Sequence, residues 1–343
     1  MSETQSKTPL YKQLADIIKN DIKMGIIAPG SKLPSENEFA KKYGMSRLTA
    51  RQAVTVLVNE NLVERYHGKG SFCKALPISK KIDVLLDMSD YYFIPYYMQS
   101  ISKVLEENGA TFIAADTKNK WTEVVKLISD IAERGSDGII LLASPEKDYD
   151  RNKVSDVFKK LKEKNIPCIQ IDTCYDISDI SRVIMDEEEM GHLAAKHFKD
   201  MGHTKLALVY YENNILSDMR MKAFYEFFDD ITEINYFDSA MEQQIKKAYE
   251  SGISGIFCYS DFMAIKVIET LNTMNLKIPE DISLITVDDT PVSQIYCITS
   301  VEHAKGKIGE FAAKCILSGN MPKEKVFKPK LVTRKSVLNK NHK

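Results

Sequence analysis

From residue 82 onward, short runs rich in Val, Ile and Leu alternate with longer amphipathic stretches, and this alternation constrains the chain more than any other feature. Runs at 82–88, 111–115, 138–142, 167–171, 206–210, 256–258 and 282–287 read as strands. The stretches between them, at 94–107, 123–134, 153–164, 190–201, 219–228 and 262–274, carry apolar residues at helical spacing. Strands joined through helices of ~10–15 residues do not pair as hairpins. They form parallel sheets covered by helices, an α/β layered fold. Ligands of such folds sit beyond the carboxyl ends of the strands.

The first 73 residues follow a different pattern. Leu10, Leu14, Ile17, Ile18 and Ile22 mark a first helix after Pro9, with Gly25 as its stop and Pro29-Gly30 as a turn. Ser35 and Glu38 form an S-x-x-E capping box that starts a second helix, and Gly44 ends it. Ser46 caps a third helix reaching to about Asn59, with Ala53, Val54, Leu57 and Val58 inward and Arg47, Thr49 and Arg51 outward. Two helices around a short Gly-containing turn make a helix-turn-helix. The segments 62–66 and 71–73 flank the turn His67-Gly68-Lys69-Gly70 and read as a β-hairpin wing. The expected organisation is a small α+β domain over 1–73, a polar linker over 74–81 and an α/β domain over 82–343.

Charge divides along the same boundary. Residues 1–72 hold 11 Lys+Arg against 7 Asp+Glu, whereas the whole chain has a net charge of -1, so a basic head precedes an acidic body. That asymmetry points to a polyanion partner for the head. The six cysteines are scattered without CxxC pairs or nearby His, which suits buried free thiols in a reducing compartment rather than a metal site. No apolar run approaches a transmembrane span and the N-terminus has no signal-peptide core, so the expectation is a cytoplasmic protein with no membrane partner and no cofactor.

The head has the chemistry to read DNA. Arg47 and Arg51 lie one turn apart, and arginine's planar fork matches guanine O6/N7. Ser46 and Thr49 hydroxyls, with the backbone N–H groups at the helix start, suit phosphate oxygens. Lys69 between Gly68 and Gly70 can approach a groove closely at the wing tip.

The stretch 8–72 resembles the GntR-type winged helix. It carries Pro9-Leu10-Tyr11, Pro29-Gly30, Leu33-Pro34-Ser35-Glu36, Glu38, Tyr43-Gly44, Ser46-Arg47, Thr49, Arg51 and His67-Gly68-Lys69-Gly70. The stretch from Ile82 to about Leu338 resembles the two-lobed, periplasmic-binding-protein-like effector domain of LacI-type repressors. Its marks are Asp186, Met201-Gly202-His203, Arg220, Ser260-Asp261-Phe262-Met263-Ala264, Ile278-Pro279-Glu280-Asp281-Ile282, Val287-Asp288-Asp289 and Thr299-Ser300-Val301. The first resemblance implies DNA contact by Asn37, Ser46, Arg47, Thr49, Arg51, His67 and Gly68. Together they imply a repressor, homodimeric on a palindromic operator, that a small sugar releases. The stretches Ser89-Asp90-Tyr91 and Thr299-Ser300-Val301-Glu302-His303 resemble the arabinose-responsive branch and imply L-arabinose.

For the effector, Arg220 and Asp288 match sugar-contacting positions of LacI-type domains. Tyr91 and Tyr92 follow the first strand, Asp172 ends another, and His303 and Lys305 lie where the chain crosses between lobes. Ser260 stands where the family usually has Asn, a shorter reach that affects ligand choice. A nucleobase or phosphosugar effector, or a cytosolic sugar-binding module, is the alternative. An enzyme is not expected: there is no GxGxxG after a strand, no P-loop and no HExxH, and GISG at 252–255 is one residue short of a GxSxG elbow.

Overall fold

In a computed structural model the chain divides into two units, Met1–Ser79 and Lys80–Lys343. The structure describes residues 9–23, 26–28, 30–74, 80–88, 92–142, 144–172 and 180–341. Gly25, Pro29, most of the expected linker (75–79) and the Ser89-Asp90-Tyr91 stretch lie outside them.

The first unit is built from α1 (Leu10–Lys23), α2 (Glu36–Tyr43), α3 (Arg47–Asn59), β1 (Val63–Tyr66) and β2 (Gly70–Cys73). The capping box is present: Ser35 Oγ accepts from Glu38 N, and the Glu38 carboxylate accepts from Ser35 N at 2.6 Å. The bond from Ser35 N, reinforced by the Ser35 hydroxyl, holds the Glu38 carboxyl below its ordinary pKa. Gly44 ends α2 in the left-handed region at φ 63°. The core consists of Leu14, Ile18, Ile22, Leu33, Phe39, Ala53, Val54, Leu57 and Val63. The strands pair antiparallel, Val63 opposite Cys73 and Tyr66 opposite Gly70. Lys74 still belongs to this unit, its N–H bonding the Leu62 carbonyl at 2.9 Å.

The second unit has two lobes. The first sheet takes the order β13-β7-β6-β5-β3-β4, from β3 (Lys81–Leu86), β4 (Thr111–Asp116), β5 (Gly138–Leu142), β6 (Cys168–Ile171), β7 (Ser181–Met185) and β13 (Glu324–Phe327). Lys81, placed in the linker by the sequence pattern, opens β3 here. The second sheet takes the order β14-β12-β11-β10-β8-β9, from β8 (Lys205–Tyr210), β9 (Asp230–Asn235), β10 (Gly255–Cys258), β11 (Ser283–Asp288), β12 (Thr299–Glu302) and β14 (Lys330–Val332). Every pairing is parallel except β12 with β14. Helices α4 (Ile94–Glu107), α5 (Trp121–Arg134) and α6 (Arg151–Glu163) follow strands of the first lobe. In the second lobe come α7 (Glu187–Asp200), α8 (Ile215–Phe227), α9 (Met241–Glu250), α10 (Asp261–Thr273) and the short α11 (Pro291–Ile295). Helix α12 (Lys305–Ser318) returns to pack on α4.

The chain therefore passes between lobes three times: after β7, after β12, and between β13 and β14. One apolar cluster runs through both sheets, from Val84 and Ile140 to Leu208, Phe257 and Val287. Among the described residues no helix is long and apolar enough to cross a membrane.

Candidate functional site

The head presents its candidates at the start of α3 and at the hairpin tip. Asn37, Ser46, Arg47, Arg51, His67, Gly68, Lys69 and Gly70 are all exposed. Ser46 is the N-cap: its Oγ accepts from Thr49 N at 3.0 Å and lies 2.8 Å from the Thr49 hydroxyl. Both hydroxyls thus serve the cap, and the free N–H groups of the first turn are what remains for a phosphate. Glu36, in the first turn of α2, pairs with arginines. Its carboxylate lies 3.7 Å from Arg47 and 3.4 Å from Arg65. Arg65 also donates to the Arg51 carbonyl at 3.3 Å, so one network links α2, the reading helix and the wing.

The second unit gathers its candidates in the cleft, at the carboxyl ends of the strands. Gly191 in α7 sets the geometry. A Cβ there would stand 2.0 Å from the Arg220 carbonyl, so only glycine lets α8 come this close. That approach brings Glu187, at the start of α7, against Arg220; both are 4 % exposed. Arg220 Nε donates to Glu187 Oε2, and Nη1 donates to the Tyr259 carbonyl at 2.7 Å. The guanidinium carbon also lies 4.2 Å from the Tyr259 ring centre. Burial is the largest single effect and lowers the Arg220 pKa, but Glu187, Tyr259 and Asp288 together outweigh it and the net direction is upward. This is a buried, paired and fully charged arginine.

Asp288 closes β11 at φ 104°, in the left-handed region, and Asp289 follows at φ 49°. Strain of this kind persists where surrounding structure enforces it. Here the enforcing group is Asp261, a fully buried carboxylate that accepts from Thr290 N at 2.7 Å, Thr290 Oγ1 at 2.9 Å, Ser300 Oγ at 3.2 Å and Thr286 Oγ1. The Asp288 carboxylate itself takes no hydrogen bond from the described residues. Its burial pushes the pKa up to about 6, and Arg220 and Lys305 only partly offset this. Lys305 Nζ donates to the Asp288 carbonyl and sits over the rings of Phe93 and Tyr96, at 5.4 and 5.0 Å.

On the other wall, Tyr97 donates to Asp172 Oδ2. His303 Nε2 lies 2.9 Å from the same oxygen but makes no hydrogen bond to it. Burial would raise the Asp172 pKa, but His303 and Tyr97 hold it below its ordinary value. Asp172 Oδ1 and His303 Nδ1 are buried with no hydrogen-bond partner among the described residues, a state that calls for a ligand or a water. Asp172, Glu187 and His303 bring ligand atoms within 4.8 Å of one another. Arg220 and Tyr97 already engage two of the three, so the cluster is a polar network and not an open metal donor set.

Among the described residues, contacts join the lobes at two places across the cleft. Tyr92 Oη lies 2.9 Å from Thr290 Oγ1, its ring 5.8 Å from that of Phe262. At the rim Glu146 bridges Asn214, Ile215 N donates to the Pro145 carbonyl at 3.1 Å, and Lys147 pairs with Asp218 at 2.9 Å.

Of the effector candidates read from sequence, Tyr92, Asp172, Arg220, Asp288, His303 and Lys305 meet in this cleft, and Tyr91 lies outside the described residues. Ser260 is buried beside them, but its hydroxyl accepts from Met263 N at 3.4 Å and so caps α10. Sequence reasoning missed Tyr97, Glu187, Tyr259 and the role of Asp261. Glu187 follows Asp186, the N-cap of α7, and reads as an ordinary first-turn acid. Tyr97 falls on the inner face of α4 and reads as core.

A winged helix joined to a two-lobed body with a buried polar cleft is the build of a transcription regulator that answers to a small molecule. Residues 10–73 match the gntR family of bacterial regulatory proteins, and residues 195–337 match the periplasmic binding protein-like domain. The chain is a transcription regulator, with a GntR-type DNA-binding head and a LacI-type body. Over nearly its whole length it is similar to the arabinose metabolism transcriptional repressor of Halalkalibacterium halodurans, at 26 % identity over 95 % of this chain and 96 % of that one. It is also similar to the repressor of the same name from Geobacillus stearothermophilus, at 25 % identity over 96 % and 97 %. The body shares its fold with a LacI family transcriptional regulator from Enterococcus faecium solved with bound ribose. The TM-score is 0.64 and the identity 23 %, over 76 % of this chain and 99 % of that one.

Proposed function

We propose that this protein represses genes of sugar use by binding a palindromic operator as a homodimer, and that a neutral sugar, L-arabinose, releases it. The observation that carries the reading is the cleft between the lobes. It sets Arg220 and Lys305, both held by hydrogen bonds to backbone carbonyls, against the carboxylates of Asp288 and Asp172, and Asp172 Oδ1 has no hydrogen-bond partner among the described residues. A polyol presents hydroxyls that both donate and accept, and so matches that mixed lining. Three carboxylates, Asp172, Glu187 and Asp288, face two fixed cations, a balance that opposes a phosphosugar. The relatives named for arabinose metabolism direct the choice among sugars.

The aromatic rings of Tyr92, Phe93, Tyr96, Tyr259 and Phe262 around the cleft favour one second reading, a planar nucleobase. Thermal melting of the full chain with L-arabinose, other monosaccharides, nucleobases and phosphosugars separates the two. A ligand at ~100 times its dissociation constant stabilises by about 2.7 kcal/mol. A rise in Tm with L-arabinose alone supports the proposal. A rise only with nucleobases or phosphosugars refutes the sugar assignment.

A further inference from the structure

Leu48, the second residue of α3, is 66 % exposed. Taking about 100° per residue, it lies about 170° around the helix from the buried direction set by Ala50, Ala53, Val54 and Leu57. Gln52, one turn on, lies about 150° around, on the same stripe. Arg47 and Arg51 fall to one side, at about 70° and 110°. The outermost line of the reading helix is therefore an aliphatic side chain followed by an amide, with the guanidinium groups as its flank.

An exposed leucine alone means little. This one is flanked on its own helix by the exposed Arg47 and Arg51, where a polyanion is the matching partner and a second apolar protein surface is not. In the major groove, an aliphatic group meets one apolar feature, the thymine 5-methyl group, and an amide one turn away can grip adenine N6 and N7. We propose that Leu48 reads a thymine through its methyl group, with Gln52 beside it on an adenine, so that this pair sets specificity at an A·T-containing step. The proposal rests on the operator-binding reading above.

The test uses duplexes that the full-length protein enriches from a randomised library. Each thymine of the selected half-site is then replaced by uracil, which removes only the methyl, symmetrically in both halves. At one position the wild-type protein loses about fourfold in affinity per half-site, the equivalent of one buried methyl group. Leu48→Ala binds the parent duplex more weakly and loses sensitivity to uracil at that position alone. Its Tm stays close to the wild type, because Leu48 is mostly exposed and lies outside the buried core of the head. Wild-type indifference to every uracil, or an undiminished uracil effect in Leu48→Ala, overturns the proposal. Failure to enrich any duplex above random DNA refutes operator binding itself, and this inference with it.

Discussion

Asp288 is a buried carboxylate whose pKa burial raises to about 6, and Asp288→Asn isolates what that burial costs. Raising an aspartate from its ordinary 3.8 to about 6 is equivalent to about 3 kcal/mol against the charged form at neutral pH. A pKa raised by folding gives a contribution that is intact below 3.8 and lost as pH rises through about 6. The asparagine variant has no charge to bury. It should therefore be more stable than the wild type at pH 7.5, by about 1–3 kcal/mol, and the gain should shrink through pH 6 and vanish near pH 4. Sugar affinity should move the other way. Losing a charged hydrogen-bond acceptor costs about 1.5–3 kcal/mol, a drop of about 10- to 150-fold. Urea unfolding at several pH values, with calorimetric titration of L-arabinose, measures both. An Asp288→Asn protein that is less stable at pH 7.5, with no pH dependence in the difference, would refute the reasoning.

Three further perturbations probe the same architecture. Arg220→Met leaves Glu187 buried without its partner and should lower body stability by about 3–5 kcal/mol in urea unfolding; a loss below about 1 kcal/mol would mean the pair is not desolvated. Asp218→Lys faces Lys147 with a like charge at the cleft rim, and should weaken sugar binding about two- to fivefold, an effect that high salt erases. An unchanged affinity at low salt would show that these rim residues do not hold the lobes together. Arg47→Ala should weaken operator binding by about 1–3 kcal/mol more than random-DNA binding in electrophoretic titrations. Equal losses would mean that Arg47 only neutralises phosphate.

The head was almost wholly legible because its signals are local. Ser35 with Glu38, Gly44, Ser46 and the glycines of the hairpin each act within a few residues. In the body, strands buried on both faces, such as β5 and β11, announced themselves as apolar runs. Elements that broke that rule were missed. Strand β9, DITEIN, is a half-exposed edge strand with acidic residues. Helix α12 carries Gly306 and Gly309, which weaken its helical signal. Gly309 is there because a Cβ would stand 2.3 Å from Ser100 Oγ on α4, so the tight packing that defines the helix also hides it from sequence.

The cleft shows the same division. Residues that end strands, Asp172 and Asp288, were visible from position alone. Glu187 and Tyr97 acquire their roles only through contacts to Arg220 and Asp172, made by residues 33 and 75 positions away. No periodicity carries that information. Ser260 marks the converse limit: its place in a family pattern suggested a ligand contact, while its hydroxyl serves a helix end. Likewise Leu48 reads as an ordinary surface position until the buried face of α3 shows which way it points.

The central claim is a linkage between cleft and head, and linkage is reciprocal. The direct measurement is the anisotropy of a labelled selected duplex titrated with the full-length protein, with and without saturating L-arabinose. It is paired with calorimetric titration of the sugar into protein alone and into the protein–duplex complex. The account predicts at least a tenfold loss of operator affinity with the sugar, and an equal loss of sugar affinity in the complex. Operator affinity that is unchanged or tightened by L-arabinose would contradict it.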